Sequence, residues 1–151
     1  MAAIREKSIG AIVYRKEEGK ILYLLLYKKA HNKFKEAWNF SRGLIEKGEY
    51  EKQTAIREIE EETGLNELEF KDGFKAKIHF FYRRDGLNIS KDVIYFLAET
   101  KNKNIKISHE HNDFSWLTFE NALSKLTFKN DKEVLRKAND FLTKTSLEAY
   151  T

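Results

Sequence analysis

The chain has no cysteine and no proline in 151 residues. Without cysteine there is no disulfide, no thiol nucleophile and no thiolate metal site, which suits a reducing cytosol and leads us to expect a cytoplasmic protein. Without proline, the turns must be shaped by Gly, Asn and Asp. Long apolar runs are missing as well. The longest, Ile21 to Tyr27, falls far short of the roughly 20 residues needed to cross a bilayer, so no membrane partner is expected. The opening MAAIREKSIG carries charges and no apolar segment, which excludes a signal peptide there. No repeat, linker or basic block interrupts the sequence. The length is that of one domain with a sizeable core, and we expect a single domain over residues 1–151. A net charge of +4 suits an anionic small molecule as well as it suits nucleic acid.

The most informative stretch is acidic. Gly43 to Leu65 reads GLIEKGEYEKQTAIREIEEETGL and holds seven Glu. Glu58, Glu61 and Glu62 stand at i, i+3 and i+4, which places all three on one face of an α-helix. Like charges so spaced repel, and a hard divalent cation with oxygen ligands would offset the repulsion. Arg57, four residues before Glu61, can hold part of this set without occupying a metal position. Ala55, Ile56 and Ile59 supply an apolar stripe opposite the carboxylates. Gly64 is placed to end the helix in the left-handed conformation, with Leu65 packing back.

This stretch resembles the Nudix box, G-x5-E-x7-R-E-U-x-E-E-x-G-U with U aliphatic. Every fixed position is met, by Gly43, Glu49, Arg57, Glu58, Ile59, Glu61, Glu62, Gly64 and Leu65. The resemblance implies hydrolysis of a pyrophosphate bond with Mg²⁺, or Mn²⁺ in its place. The metal ligands would be Glu58, Glu61, Glu62 and the Gly43 carbonyl. Arg57 would orient the glutamates, with Glu49 as its ion-pair partner. Nudix enzymes take their general base either from the box, here Glu58, or from a later loop. In Ser108-His109-Glu110-His111 the candidate is Glu110, as metal ligand or base. Two His at i and i+2 with no Cys make a weak zinc pattern.

Along the chain, strands are expected over Ser8–Arg15 and Lys20–Lys28, joined by a turn, with a polar loop to Ala37 and a short extended piece at Trp38–Phe40. The box helix follows, over Glu51–Glu62. Strands over Phe74–Arg84 and Ile89–Thr100 form a hairpin across Asp85-Gly86. Lys101–Ile107 reads as a loop that ends in strand. A strand over Asp113–Leu117 and a helix over Phe119–Leu126, capped by Thr118, come next. A last helix starts at Asn130 in a capping-box-like pair with Glu133. The fold class is α/β (α+β), a mixed sheet covered by helices. This agrees with the α/β/α sandwich that the Nudix resemblance implies.

The region from Lys91 to Asn130, with its S-H-E-H run and aromatic-Trp-Leu strand, is similar to the later half of animal-type asymmetrical diadenosine tetraphosphate hydrolases. That resemblance implies a dinucleoside polyphosphate substrate, split to ATP and AMP; separately, we expect a monomer. Arg42 and Lys91 would bind phosphate, and Tyr82 and Phe128 would stack on an adenine ring. His31 and Lys33, before the box, would reach phosphates or sit in a solvated loop. Arg42 lies in Phe40-Ser41-Arg42-Gly43, where the branch has Pro-Lys-Gly. Two other readings stay open. One is a nucleoside triphosphate or RNA 5′-end pyrophosphohydrolase; the other is a nucleotide-sensing module without catalysis.

Overall fold

The computed structural model describes residues 4–31 and 35–148, the side chains of 145–148 excepted. Its elements in chain order are β1 (Ile4–Glu17), β2 (Lys20–Lys28), β3 (Ala37–Asn39), β4 (Ser41–Leu44), α1 (Glu51–Thr63), β5 (Glu69–Phe70), β6 (Ala76–Arg84), β7 (Leu87–Glu99), β8 (Asp113–Leu117), α2 (Phe119–Lys125) and α3 (Lys129–Glu148).

The central pair is β1 with β7, which run parallel in unbroken register from Ile4 opposite Ile89 to Tyr14 opposite Glu99. The other pairings are antiparallel: β2 and β4 on β1, β3 and β8 on β2, β5 and β6 on β7. The sheet is therefore mixed, as expected. Alternation along β1 divides its two faces. Ile9, Ala11 and Val13 turn to the α1 side, whereas Ile12 and Tyr14 join the cluster beneath α2 and α3. Both faces are covered, which explains why β2 reads as a continuous apolar run.

Several boundaries differ from the sequence-based expectation, each for a tertiary reason. β1 begins at Ile4, because β7 offers it partners well before Ser8. The extended piece expected at Trp38–Phe40 is the strand β3, paired with β2, and a further strand, β4, carries the start of the box and is laid on Ser8–Ala11 of β1. Residues 101–107 form no strand. Asn130 is not the cap of α3. The helix already begins at Lys129, the Lys132 amide donates to the Phe128 carbonyl, and the Glu133 carboxylate pairs with Arg136. Thr118 does cap α2, accepting from the Asn121 amide.

Two departures bear on α1. Ile56 is exposed, so the buried side of the helix is Ala55 and Ile59 together with Thr54, Thr63 and Glu62. The start of α1 is closed by the Gln53 side chain, which accepts from the Tyr50 amide at 2.8 Å. Its end is the expected left-handed Gly64, whose N–H donates to the Glu60 carbonyl.

Candidate active site

The box glutamates do not share one environment. The Glu61 side chain is 57% exposed, that of Glu58 13%, and Glu62 is buried. Arg57 ties the first two together from the helix itself. Its Nη1 donates to Glu58 at 2.8 Å and reaches Glu61 at 3.3 Å. Its Nε and Nη2 grip both oxygens of Glu49 at 2.8 and 3.0 Å, and Nη2 also donates to the Leu44 carbonyl. One guanidinium thus fastens helix, loop and strand. The Arg57 hydrogen bonds, reinforced by the Glu46 amide, hold the Glu49 carboxyl down at about 2.

Glu62 is pinned from the other side by the Ser41 hydroxyl, which donates at 2.7 Å. Burial raises the carboxyl of Glu62, and the adjacent Glu58 and the more distant Glu110 add to the rise. Burial raises Glu58 too, against the pull of Arg57. The two carboxyl groups act on each other in opposite senses: Glu62 pulls Glu58 down while Glu58 pushes Glu62 further up, so Glu62 is the one that most resists ionising without a nearby cation.

The strand that delivers Ser41 also brings Gly43 against this pair. A Cβ at Gly43 would lie 2.0 Å from the Glu58 carboxyl carbon and 2.2 and 2.3 Å from its oxygens. Only glycine leaves that cradle open. Among the described residues no three His, Asp or Glu side chains form a closed ligand cage. Mg²⁺ does not need one, because it retains several waters and takes few carboxylates. An all-oxygen donor set, a carboxyl pair raised chiefly by burial and a cradle that a methyl group would fill together fit such an ion.

Glu110 is exposed, in a loop that α1 anchors through Ser108 N–H to the Glu62 carbonyl at 3.2 Å and Lys106 N–H to the Thr63 carbonyl at 2.9 Å. That anchoring brings the Glu110 charge within range of Glu62. The Nδ1 of His111 is buried and has no hydrogen-bond partner among the described residues.

Arg42 turns to the opposite face of β4, over Gly10, where a Cβ would meet the Ser41 carbonyl at 2.1 Å. There it lines a cavity of about 340 Å³ with Ile78, Phe80, Phe128, Asn130 and Asp131. Its Nη1 donates to the Tyr95 hydroxyl at 2.9 Å; that hydroxyl donates to Asp131 at 3.0 Å. Burial works against the Arg42 charge, but Tyr95 and Asp131 outweigh it. Asp131 is wholly buried, and one of its oxygens has no partner among the described residues. Burial and the nearby Arg42 lower the Lys91 amine, against Glu6 at 4.0 Å.

Of the residues expected from the sequence, Arg42 and Phe128 therefore meet in one cavity, and Lys91 stands beside Arg42 across the sheet. Tyr82 shares their face of β6 but does not line the cavity. Its hydroxyl donates to Glu6 at 2.6 Å. Phe80, two residues earlier, lines the cavity together with Phe128. His31 is exposed after β2 and does not line the cavity. Lys33 lies outside the described residues. Sequence reasoning missed Phe80, Tyr95 and Asp131. The alternation of Ile78, Phe80 and Tyr82 along β6 was the available signal for the first.

The sequence pattern of the NUDIX domain matches residues 4–138. The chain belongs to this family. It is 36% identical to the mouse bis(5′-nucleosyl)-tetraphosphatase [asymmetrical] over 112 residues, 72% of this chain and 74% of that protein. It is 33% identical to the Caenorhabditis elegans enzyme of the same name over 140 residues, 90% of this chain and 96% of that one. The crystal structure of a C. elegans Ap4A hydrolase binary complex superposes with a TM-score of 0.78 at 32% identity, covering 91% of this chain and 98% of that one. The Nudix fold and a Nudix hydrolase identity, both expected from the box, are thus shown.

Proposed function

We propose that this Nudix hydrolase cleaves diadenosine tetraphosphate asymmetrically, to ATP and AMP, with Mg²⁺ as its metal. The observation that carries this reading is the placement of an aromatic cavity with a half-buried arginine on the other face of the strand that carries the carboxylate cradle. Arg42 and Gly43 are neighbours on β4, and their side chains or Cα face opposite sides of the sheet. A substrate with a base at one end and a polyphosphate at the other can engage both. The similarity to named tetraphosphatases over most of the chain supports the same substrate class.

Glu58, Glu61, Glu62 and the Gly43 carbonyl would hold the divalent ion, with Glu110 on its solvent side. When bound, the ion neutralises the polyphosphate and makes its water a better nucleophile. Arg57 keeps Glu58 and Glu61 in place. Glu110 takes the proton from the attacking water. Arg42 binds phosphate with its fork held rigid by Tyr95 and Asp131, and Lys91 adds a second cation. Phe80 and Phe128 take the adenine, since stacking needs no particular hydrogen-bond pattern. The enzyme works as a cytoplasmic monomer. No helix among the described residues is long and apolar enough to cross a membrane.

The test is a side-by-side comparison of diadenosine tetraphosphate, ATP and 5′-triphosphorylated RNA, each with Mg²⁺ and each with excess chelator. The highest kcat/KM should be on the dinucleotide, and the chelator should abolish it. A preference for ATP or RNA would keep the Nudix chemistry and overturn the substrate.

A further inference from the structure

The α1 side of the β6–β7 hairpin extends beyond the helix and is left open. Strand alternation sets its content. Lys77, His79, Phe81 and Arg83 occupy successive outward positions of β6, and Lys75 precedes them by one more step. Each is exposed, and Phe81 is 71% exposed, an unusual state for so large an aromatic ring. The imidazole of His79 stands edge-on to the Phe81 ring, with centroids 4.8 Å apart. Ser90 lies opposite Phe81 on β7, and Arg5 lies opposite Ser90 on β1, which adds another exposed cation to the same face.

Acidic groups on this face are few and already engaged. Asp92 contacts His79 at 2.6 Å and Lys77 at 3.4 Å. Glu51 is shared between Lys7 and Lys75, at 2.6 Å each. Arg5 and Arg83 have no carboxylate against them among the described residues. The stripe from Lys75 to Arg83 is about 27 Å long, with like-facing side chains about 7 Å apart. That step is comparable to the distance between successive phosphates of an extended single strand. At its Lys75 end the stripe meets a cavity of about 340 Å³ walled by Phe70 and Phe96.

We propose that this face binds single-stranded nucleic acid, with bases on Phe81 and His79 and phosphates on Arg5, Arg83 and Lys77. Charge complementarity selects a polyanion, and the exposed rings select one whose bases are free to stack. A second copy of this chain is disfavoured, because β6 is an edge strand and pairing it with itself would bring Lys77, Arg83 and Arg84 against their own kind. The face lies across the sheet from the Arg42 cavity, so its occupancy does not depend on which phosphoanhydride is cleaved.

The test is fluorescence anisotropy with a labelled RNA of about ten nucleotides, a length in the range of single-strand sites. The RNA carries a 5′-hydroxyl, and chelator is present, so the active site contributes neither hydrolysis nor polyphosphate binding. The full chain should bind, with affinity falling as salt rises. Phe81→Ala should weaken binding about 5- to 150-fold, as loss of one base stack does. Arg83→Ala should flatten the salt dependence. Both side chains are exposed and remote from the box, so both variants should keep wild-type turnover of a small nucleotide. Absence of binding by the wild type, equal binding by the Phe81 variant, or equally strong competition by polyglutamate would each overturn the proposal.

Discussion

Gly43 illustrates how much a single residue can decide. A methyl group there would collide with the Glu58 carboxyl, and that group is the far end of a flexible side chain and can swing away. Gly43→Ala should therefore leave the melting temperature nearly unchanged while lowering kcat about 100-fold, the usual cost of a misplaced reacting group. Steady-state kinetics with thermal melts of the same preparation check this. Tyr95→Phe probes the other end of the site. It strips Arg42 and Asp131 of the hydroxyl between them, at about 1–3 kcal/mol of stability for buried partners left unpaired. Because Arg42 is held for phosphate, KM should rise several-fold and kcat should change less. A fall in kcat at constant KM would place Arg42 away from the substrate.

At the scale of the element, α1 and the loop before it behave as one unit because Arg57 binds both. The pH dependence follows from Glu49. Its folded-state carboxyl, at about 2, lies below its ordinary 4.5. The stabilisation is thus fully present above 4.5 and is lost as pH falls from there towards 2. Glu49→Gln should melt earlier than the wild type at neutral pH, and the gap should close as the pH is lowered through 4.5. Parallel melts across that range would expose a constant gap, which would contradict the ion-pair account.

The legibility of these elements in the sequence also divides by physical cause. α1 and its carboxylates could be read directly, because helical spacing and the Nudix box are local properties of 23 residues. Glu62 was harder. Its position on the acidic face is local, but its burial comes from β4 and Ser41, 21 residues away. β4 itself is four residues long and exists only because β1 pairs with it. The Tyr95–Asp131 bridge spans 36 residues, and nothing near either one announces it. Tyr82 matched the aromatic expected by resemblance, yet the cavity wall is Phe80, on the same face one alternation earlier.

On the scale of the whole molecule, the sheet keeps two chemistries apart while joining them through β4. Glutamates crowd the α1 side. A half-buried arginine and aromatic rings gather on the α3 side, and the edge of the sheet lies between them. Such a division suits a substrate that must be gripped at one end and cut elsewhere.

The most direct test of that arrangement is hydrolysis of diadenosine tetraphosphate with Mg²⁺ in ¹⁸O-water, followed by mass analysis of the products. The expected result is ATP and AMP in equal amounts, with a single ¹⁸O found in one of the two. Accumulation of ADP as the sole nucleotide product would show attack at the centre of the chain, and would contradict the asymmetrical grip assigned to Arg42 and the carboxylate cradle.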